Sequence, residues 1–299
     1  MTQLDIILPT EPAQALPSIR HVSFADLGDA IRKGWDDFTA MPTHIVFLCA
    51  IYPLAGMLLF SVTSAFDLFG LVYPLAAGFA LIGPIAGLGL YEVSRRREMG
   101  MDTSLKHAFD VIQSPSLGAI VALSLVLVAL FGVWIAVAQS IYTAYFGYLP
   151  ITSLRAFMND VLNTPQGHRM IVVGNGVGFL FALLAASISV ISFPLLLDRH
   201  VGFWAAISTS LRVVLKNPIT MAAWFLFVAI ALLIGSLPML VGLAIVLPVL
   251  GHATWHLYRK AVVPDPGKRP VFHAPPPKPK RYAAEFPASL FARSDRTDE

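Results

Sequence analysis

Five stretches of this chain contain no Asp, Glu, Lys or Arg: residues 38–66, 68–91, 111–154, 170–197 and 217–258. A bilayer core is crossed by about 20 apolar residues, each rising about 1.5 Å along a helix. The last stretch is long enough for two crossings and is interrupted by Gly235-Ser236-Leu237-Pro238. The pattern predicts six transmembrane helices, over 43–63, 70–91, 117–140, 171–197, 218–234 and 238–258.

A second period appears upstream of each odd-numbered span. Phe24, Leu27, Ile31, Trp35 and Phe38 recur at helical spacing, as do Leu105, Ala108, Phe109 and Ile112, and then Trp204, Ile207, Leu211 and Val214. Each stripe marks one face of a helix too short and too polar to span. The expected form is an amphipathic helix lying in the membrane interface. Each segment ends at a proline: Pro42, Pro115 or Pro218. Proline lacks an N–H and suits the first turn of a new helix, while it drives the preceding residue out of helical geometry. Ser114 and Asn217 stand where N-caps are expected. The returning spans also rhyme: Gly78 precedes Pro84, and Gly242 precedes Pro248, by the same interval, with Arg95 and Arg259 equally far beyond. True internal repetition and the ordinary abundance of Gly and Pro in spans explain this about equally well.

Composition agrees with the pattern. The chain has 299 residues, 56% hydrophobic and 13% charged, against about 25% charged in soluble domains. Six buried core helices would leave too few polar residues to cover a soluble surface. The expected fold is therefore all-α and polytopic: six transmembrane helices with three cytoplasmic amphipathic interfacial helices over residues 21–262. Residues 1–20 are expected to be a flexible leader, and 263–299, with "PPPKPKRYAAEF", a disordered basic Pro-rich cytoplasmic tail. The opening "MTQLDIILPTEPAQ" lacks the basic and apolar regions of a signal peptide, so the first span is expected to direct insertion.

Charge then sets orientation. On the predicted topology 19 of the 21 Lys and Arg residues fall on one side, leaving Arg155 and Arg169 on the other. The positive-inside bias is expected to place both termini in the cytoplasm. The net charge of +3 reflects this asymmetry and implies no nucleic-acid partner. The single cysteine, Cys49, excludes an intrachain disulfide and is read as an inert thiol.

Two stretches carry a resemblance. One holds Gly83-Pro84, Gly89-Leu90-Tyr91-Glu92 and Ser94-Arg95-Arg96. The other holds Pro194, Asp198-Arg199, Ser210-Leu211-Arg212, Asn217-Pro218 and Trp224. Together they resemble a family of bacterial integral inner-membrane proteins catalogued only as a domain of unknown function, over about residues 20–262. The resemblance implies a polytopic membrane protein and no particular chemistry. Some members bear a label pointing to cytochrome c oxidase subunit I. That chemistry needs several His inside the membrane, and His21, His107, His200 and His273 fall in cytoplasmic segments, so no cofactor is carried over.

Candidate chemistry is sparse. Glu92, Arg95 and Arg96 end the second span, and Asp198 and Arg199 end the fourth. They are expected to form a charged cytoplasmic mouth, through Glu92–Arg199 or Asp198–Arg95 pairing or by binding an anionic headgroup. The arginines are better explained as topological signals, but acids contribute little to topology. His252 and His256 share a helical face and are weak metal candidates, because no third ligand is suitably spaced. Small residues at Gly83, Gly87, Gly174, Gly178, Ala182 and Ala186 suit helix packing. No nucleophile–base pair, phosphate loop or zinc signature stands out. The expectation is a non-enzymatic membrane protein without cofactor, accessory, assembling or membrane-organising in role. Its partners would be the bilayer and a membrane-protein partner or second copy. A small transporter for a non-ionic or lipid-like substrate is the alternative.

Overall fold

The computed structural model describes residues 16–40, 61, 69–79, 81, 83–147, 154–238 and 240–264. The first expected span, with Pro42 and Cys49, lies outside them apart from Ser61. Among the described residues the fold is all-helical and has no strand. The helices are α1 (Phe24–Ala40), α2 (Val72–Phe79), α3 (Gly83–Ala86), α4 (Leu88–Glu98), α5 (Leu117–Phe146), α6 (Leu154–Asn163), α7 (Pro165–Ser189), α8 (Ser192–Asp198), α9 (Phe203–Lys216), α10 (Pro218–Ser236) and α11 (Leu243–Ala261). Two 3₁₀ helices cover Phe69–Leu71 and Leu105–Gln113.

Among the described residues, three helical runs are long and apolar enough to cross a membrane: Leu117–Phe146, the α7–α8 run Pro165–Asp198, and Pro218–Ser236, with mean hydropathies of 2.8, 2.4 and 2.3. The 30 residues of α5 extend about 45 Å at helical rise. Leu125 and Val133 on α5, and Ile219, Leu226 and Leu233 on α10, point outward. Rows of exposed large apolar side chains are stable against lipid and unfavourable against water.

The second expected span differs in form. Its described residues fall in the short helices α2, α3 and α4, of which α3 and α4 are linked by helical bonds from Gly87 N–H to Gly83 O and from Tyr91 N–H to Gly87 O, each 3.0 Å. Gly78 explains where this segment docks: a Cβ there would lie 2.7 Å from Phe131 and Trp134 of α5, and Trp134 Nε1 donates to the Pro74 carbonyl at 2.9 Å. The helix also continues past residue 91, so Glu92–Glu98 belong to α4 instead of a loop. The sixth segment differs too. The last turns of α11 bury His252, Trp255 and Tyr258 against neighbouring helices, and α11 is not among the three long apolar helices.

The three amphipathic segments leave apolar residues of their stripes exposed, and α1 and α9 bury another side. In α1 the buried side holds Leu27, Ala30, Gly34, Asp37 and Phe38, while Phe24 and Trp35 are exposed. The cause is α11, which packs on the Gly34 side. A Cβ at Gly34 would lie 2.6 Å from the Ala253 nitrogen, so only glycine permits this approach. A capping box starts α1: the Asp26 N–H donates to Ser23 Oγ at 3.2 Å and the Ser23 N–H to Asp26 Oδ2 at 2.9 Å. Beside it the chain pairs antiparallel with the end of α11, through Arg20 N–H to Ala261 O at 2.8 Å and Val263 N–H to Ser18 O at 2.9 Å. In α9 the buried residues are Ala206, Thr209, Ser210 and Val213, and Trp204 of the expected stripe is exposed. The second amphipathic segment winds as a 3₁₀ helix with Phe109 and Ile112 exposed.

Ser210 accounts for the turned face of α9. Its hydroxyl donates to the Ser187 carbonyl at 2.7 Å and accepts from the Ile191 N–H at 3.2 Å. Those two groups would otherwise bond to each other in the helical ladder. A hydroxyl inserted there, with Pro194 just beyond, produces the break between α7 and α8.

Both described threshold prolines sit at helix starts. Pro218 is the first residue of α10, and Pro115 lies two residues before α5. Asn217 does not cap α10 with its side chain. Its Oδ1 accepts the Val22 N–H at 2.8 Å, and its Nδ2 donates to Val213 O at 3.0 Å and Arg20 O at 3.3 Å. The break between α9 and α10 thus anchors the segment leading into α1.

Candidate functional site

Three helices converge at the end of the molecule where α1 and α4 finish and α11 closes. The last turn of α1 supplies Asp37, α4 supplies Ser94, Arg97 and Glu98, and α11 supplies His252, His256, Arg259 and Lys260. Gly251 lets α11 approach α4, since a Cβ there would lie 2.6 Å from Leu90.

Asp37 is the hub. It accepts from Ser94 Oγ at 2.6 Å, from His256 Nε2 at 2.9 Å and from Arg97 at 2.5 Å. Ser94 Oγ also lies 2.7 Å from His252 Nδ1. Serine has one proton. If it goes to Asp37, Nδ1 of His252 is the donor to Ser94, and His256 carries its proton on Nε2. Burial is the largest influence on Asp37 and pushes its carboxyl up. The hydrogen bonds from His256 and Ser94, with the histidine charges, outweigh it and hold Asp37 below its ordinary 3.8. Ser94 is buried, with its proton directed to a carboxylate, which makes it a structural bridge in preference to a nucleophile.

A second group binds α4 to the 3₁₀ helix. Glu92, 1% exposed, accepts from Arg95 Nε at 2.8 Å and from Arg96 Nε at 2.9 Å. Arg96 reaches Asp110 at 2.5 Å, and His107 Nδ1 lies 2.7 Å from the same carboxylate. The third group closes on α8. Asp198, 3% exposed, accepts the Tyr258 hydroxyl at 2.7 Å and Arg259 at 3.4 Å. Arg259 also binds Glu98 at 3.0 Å, and Trp255 Nε1 donates to Glu98 at 3.2 Å. Arg199 lies 3.9 Å from Asp198 and donates to the Val263 carbonyl.

The sequence-selected charges therefore form a buried seam. Instead of Glu92 pairing with Arg199, or Asp198 with Arg95, Glu92 is held within its own helix and Asp198 by the last one. The two histidines are directed to Ser94 and Asp37, and among the described residues no three His, Cys, Asp or Glu side chains are grouped to hold a metal. Asp37, Glu98 and Tyr258 escaped sequence reading, and Ser94 entered it only within the Ser94-Arg95-Arg96 motif. Asp37 sits in "GWDDFTAMP", where an acid one turn before a proline reads as an ordinary solvated charge; only the docking of α11 gives it partners.

Beside the seam opens a cleft of about 400 Å³, lined by Lys33, Asp37, Ser94, Arg97, Glu98, His256, Arg259 and Lys260. At its rim Asp29 accepts from Lys260 at 2.9 Å, Arg32 at 2.6 Å and Lys33 at 3.1 Å. Those bonds, Lys260 first, hold Asp29 well below the usual carboxylate range, and the Asp29 bond raises Lys260.

Comparison with known proteins adds one match. No curated protein and no solved structure matches the chain. Over residues 72–198 the chain matches the model of the family described as "Predicted integral membrane protein (DUF2189)", a membrane family of unknown function such as its motifs resemble.

Proposed function

We propose that this chain is a multi-pass protein of the bacterial cytoplasmic membrane that performs no chemistry of its own and serves as an accessory, assembly or membrane-organising protein. The observation that carries this reading is the buried seam. Its charges are used to join α1, α4, α8 and α11 to one another, which supports a rigid scaffold over a reaction centre. In this reading 43–63, 70–91 and 238–258 also cross, giving six spans, and both termini are cytoplasmic. Phe24, Trp35, Phe109, Ile112, Trp204 and Leu215 are exposed large apolar residues on the three short helical segments, which supports their lying in the interface.

One observation favours a second reading. The segment of short helices around Pro84 resembles the interrupted helices that let a path form between spans. Polar groups at the start of that segment and on α7 are nonetheless paired, Tyr73 hydroxyl to Asn175 Oδ1 at 2.6 Å and Asn175 Nδ2 to Ile171 O at 2.8 Å, as packing groups are.

Affinity isolation of the full chain after mild detergent extraction separates the two. A stoichiometric membrane partner that survives washing and is lost in a Glu92→Gln variant is expected. Uptake of a neutral or lipid-like solute by vesicles containing the pure protein alone, with no partner recovered, would replace the scaffold reading with transport.

A further inference from the structure

We propose that the cleft between α1, α4 and α11 binds a phosphate-bearing anion. Its lining carries four cations, Lys33, Arg97, Arg259 and Lys260, and two carboxylates, Asp37 and Glu98, while Asp26, Asp29 and Asp198 also pair with Lys33, Arg259 and Lys260. With Arg32 and Arg199 on the same acids, the cations Arg32, Lys33, Arg97, Arg199, Arg259 and Lys260 outnumber the carboxylates by one, and this small surplus suits a phosphate monoester or the phosphodiester of a lipid headgroup. The two lining carboxylates do not compete equally with an incoming anion. Asp37 is buried beneath Ser94 and His256, while the side chains of Lys33 and Arg97 are 43% and 39% exposed and able to turn toward the opening.

The donor types also fit. Arg97 and Arg259 present planar guanidinium forks suited to phosphate oxygens, and Lys33 and Lys260 supply mobile point charges. Arg259 is fixed by Glu98 and Asp198, so one wall is preorganised. The other wall gains its phosphate contacts by exchanging the partly exposed pairs of Lys33 and Lys260 with Asp29, and such pairs are worth little in water. The cleft stands at the charged end of α11, where a span meets the headgroup layer on the membrane reading above. A soluble phosphate ester would use the same atoms.

The test uses the full-length protein in two arms. In detergent without added lipid, inorganic phosphate is titrated against the thermal midpoint, with sulfate and chloride alongside. In nanodiscs of mixed phosphatidylglycerol and phosphatidylcholine, lipid retained on the protein is read by native mass spectrometry. The variants are Lys33→Gln and Arg97→Gln, with Lys33→Arg as the conservative rescue and Arg169→Gln, an exposed residue on another helix, as the control. Losing one charge-assisted contact should weaken binding about tenfold.

Saturable protection by phosphate, weakened in both Gln variants and restored in Lys33→Arg, supports the site with a soluble phosphate compound. Selective retention of phosphatidylglycerol with the same variant pattern supports it with a lipid headgroup. The proposal is overturned if folded wild type, judged by gel filtration, shows neither effect, or if Arg169→Gln weakens binding as much as the cleft variants. The phosphate arm does not depend on the scaffold reading, so the two fail separately.

Discussion

The Tyr258 hydroxyl donates to Asp198 Oδ2 across 2.7 Å, in a place where both residues are buried. This bond ties the last helix to the end of the Pro165–Asp198 run. It supplies a physical role for an acid whose presence insertion does not require. Among the described residues Asp198 Oδ1 has no hydrogen-bond partner, and Oδ2 carries the interaction with Tyr258 and Arg259.

Tyr258→Phe is expected to cost about 1–3 kcal/mol, because a buried carboxylate loses its strongest neutral donor. Thermal unfolding in detergent, followed by tryptophan fluorescence, reads the shift. An unchanged midpoint would show that the bond contributes nothing net. Asp198→Ala is expected to be worse, about 3–5 kcal/mol, since it leaves Arg259 and Arg199 buried with less compensation.

The α1–α11 contact depends on Gly34. Gly34→Leu puts a branched side chain where even a Cβ meets the Ala253 backbone at 2.6 Å. The expected outcome is a detached α1, seen as faster proteolysis within residues 24–40 while the long helices stay protected. Protection equal to wild type would mean that α1 does not pack on Ala253.

Ser210→Ala removes the hydroxyl that sits between Ser187 and Ile191. Loss of about 1–3 kcal/mol is expected, from an unsatisfied carbonyl and amide, unless the ladder closes and α7 and α8 straighten. A structure of the variant distinguishes the two. Straightening supports the inserted hydroxyl as the cause of the break, destabilisation with the break kept assigns the break to Pro194 and leaves the hydroxyl as its hydrogen-bond partner, and no change in either shape or stability removes the explanation.

Stability should also depend on pH through this end of the molecule. Asp37 and Asp29 have folded values below the ordinary 3.8. Their contribution is complete above 3.8 and is lost as pH falls through the lower folded values. Lys260 is raised above 10.5, so its contribution is complete below 10.5 and is lost as pH rises through the folded value. Asp29 and Lys260 are largely solvated, so most of the acid effect should come from Asp37. The melting midpoint of wild type should fall on acidification below about pH 4, and Asp37→Asn should flatten that limb. An equally steep limb in Asp37→Asn would assign the acid sensitivity elsewhere.

Much of the architecture was legible in the charge-free runs. The starts of α5 and α10 at 117 and 218 follow from Pro115 and Pro218, because proline fixes a helix beginning through its own missing donor. The all-helical, apolar character followed from composition. The second segment was less legible: its described part docks on α5 through Gly78 and Trp134, a contact that no local pattern announces.

The sequence by itself determined where long apolar helices form and which residues cluster at their ends, since period, proline and charge act locally along the chain. Only the tertiary structure decided the partners of most of those residues. Glu92 and Asp198 were visible as unexplained acids, and His252 and His256 as a pair on one face. Glu92 meets Arg95 and Arg96 within one helix, three and four residues on, but the pairing of Asp198 with Tyr258, of His252 with Ser94 and of His256 with Asp37 depends on two close approaches, Gly34 to Ala253 and Gly251 to Leu90. Contacts such as His256–Asp37, 219 residues apart in the chain, leave no periodic trace, because a hydrogen bond between distant residues constrains two positions and nothing between them.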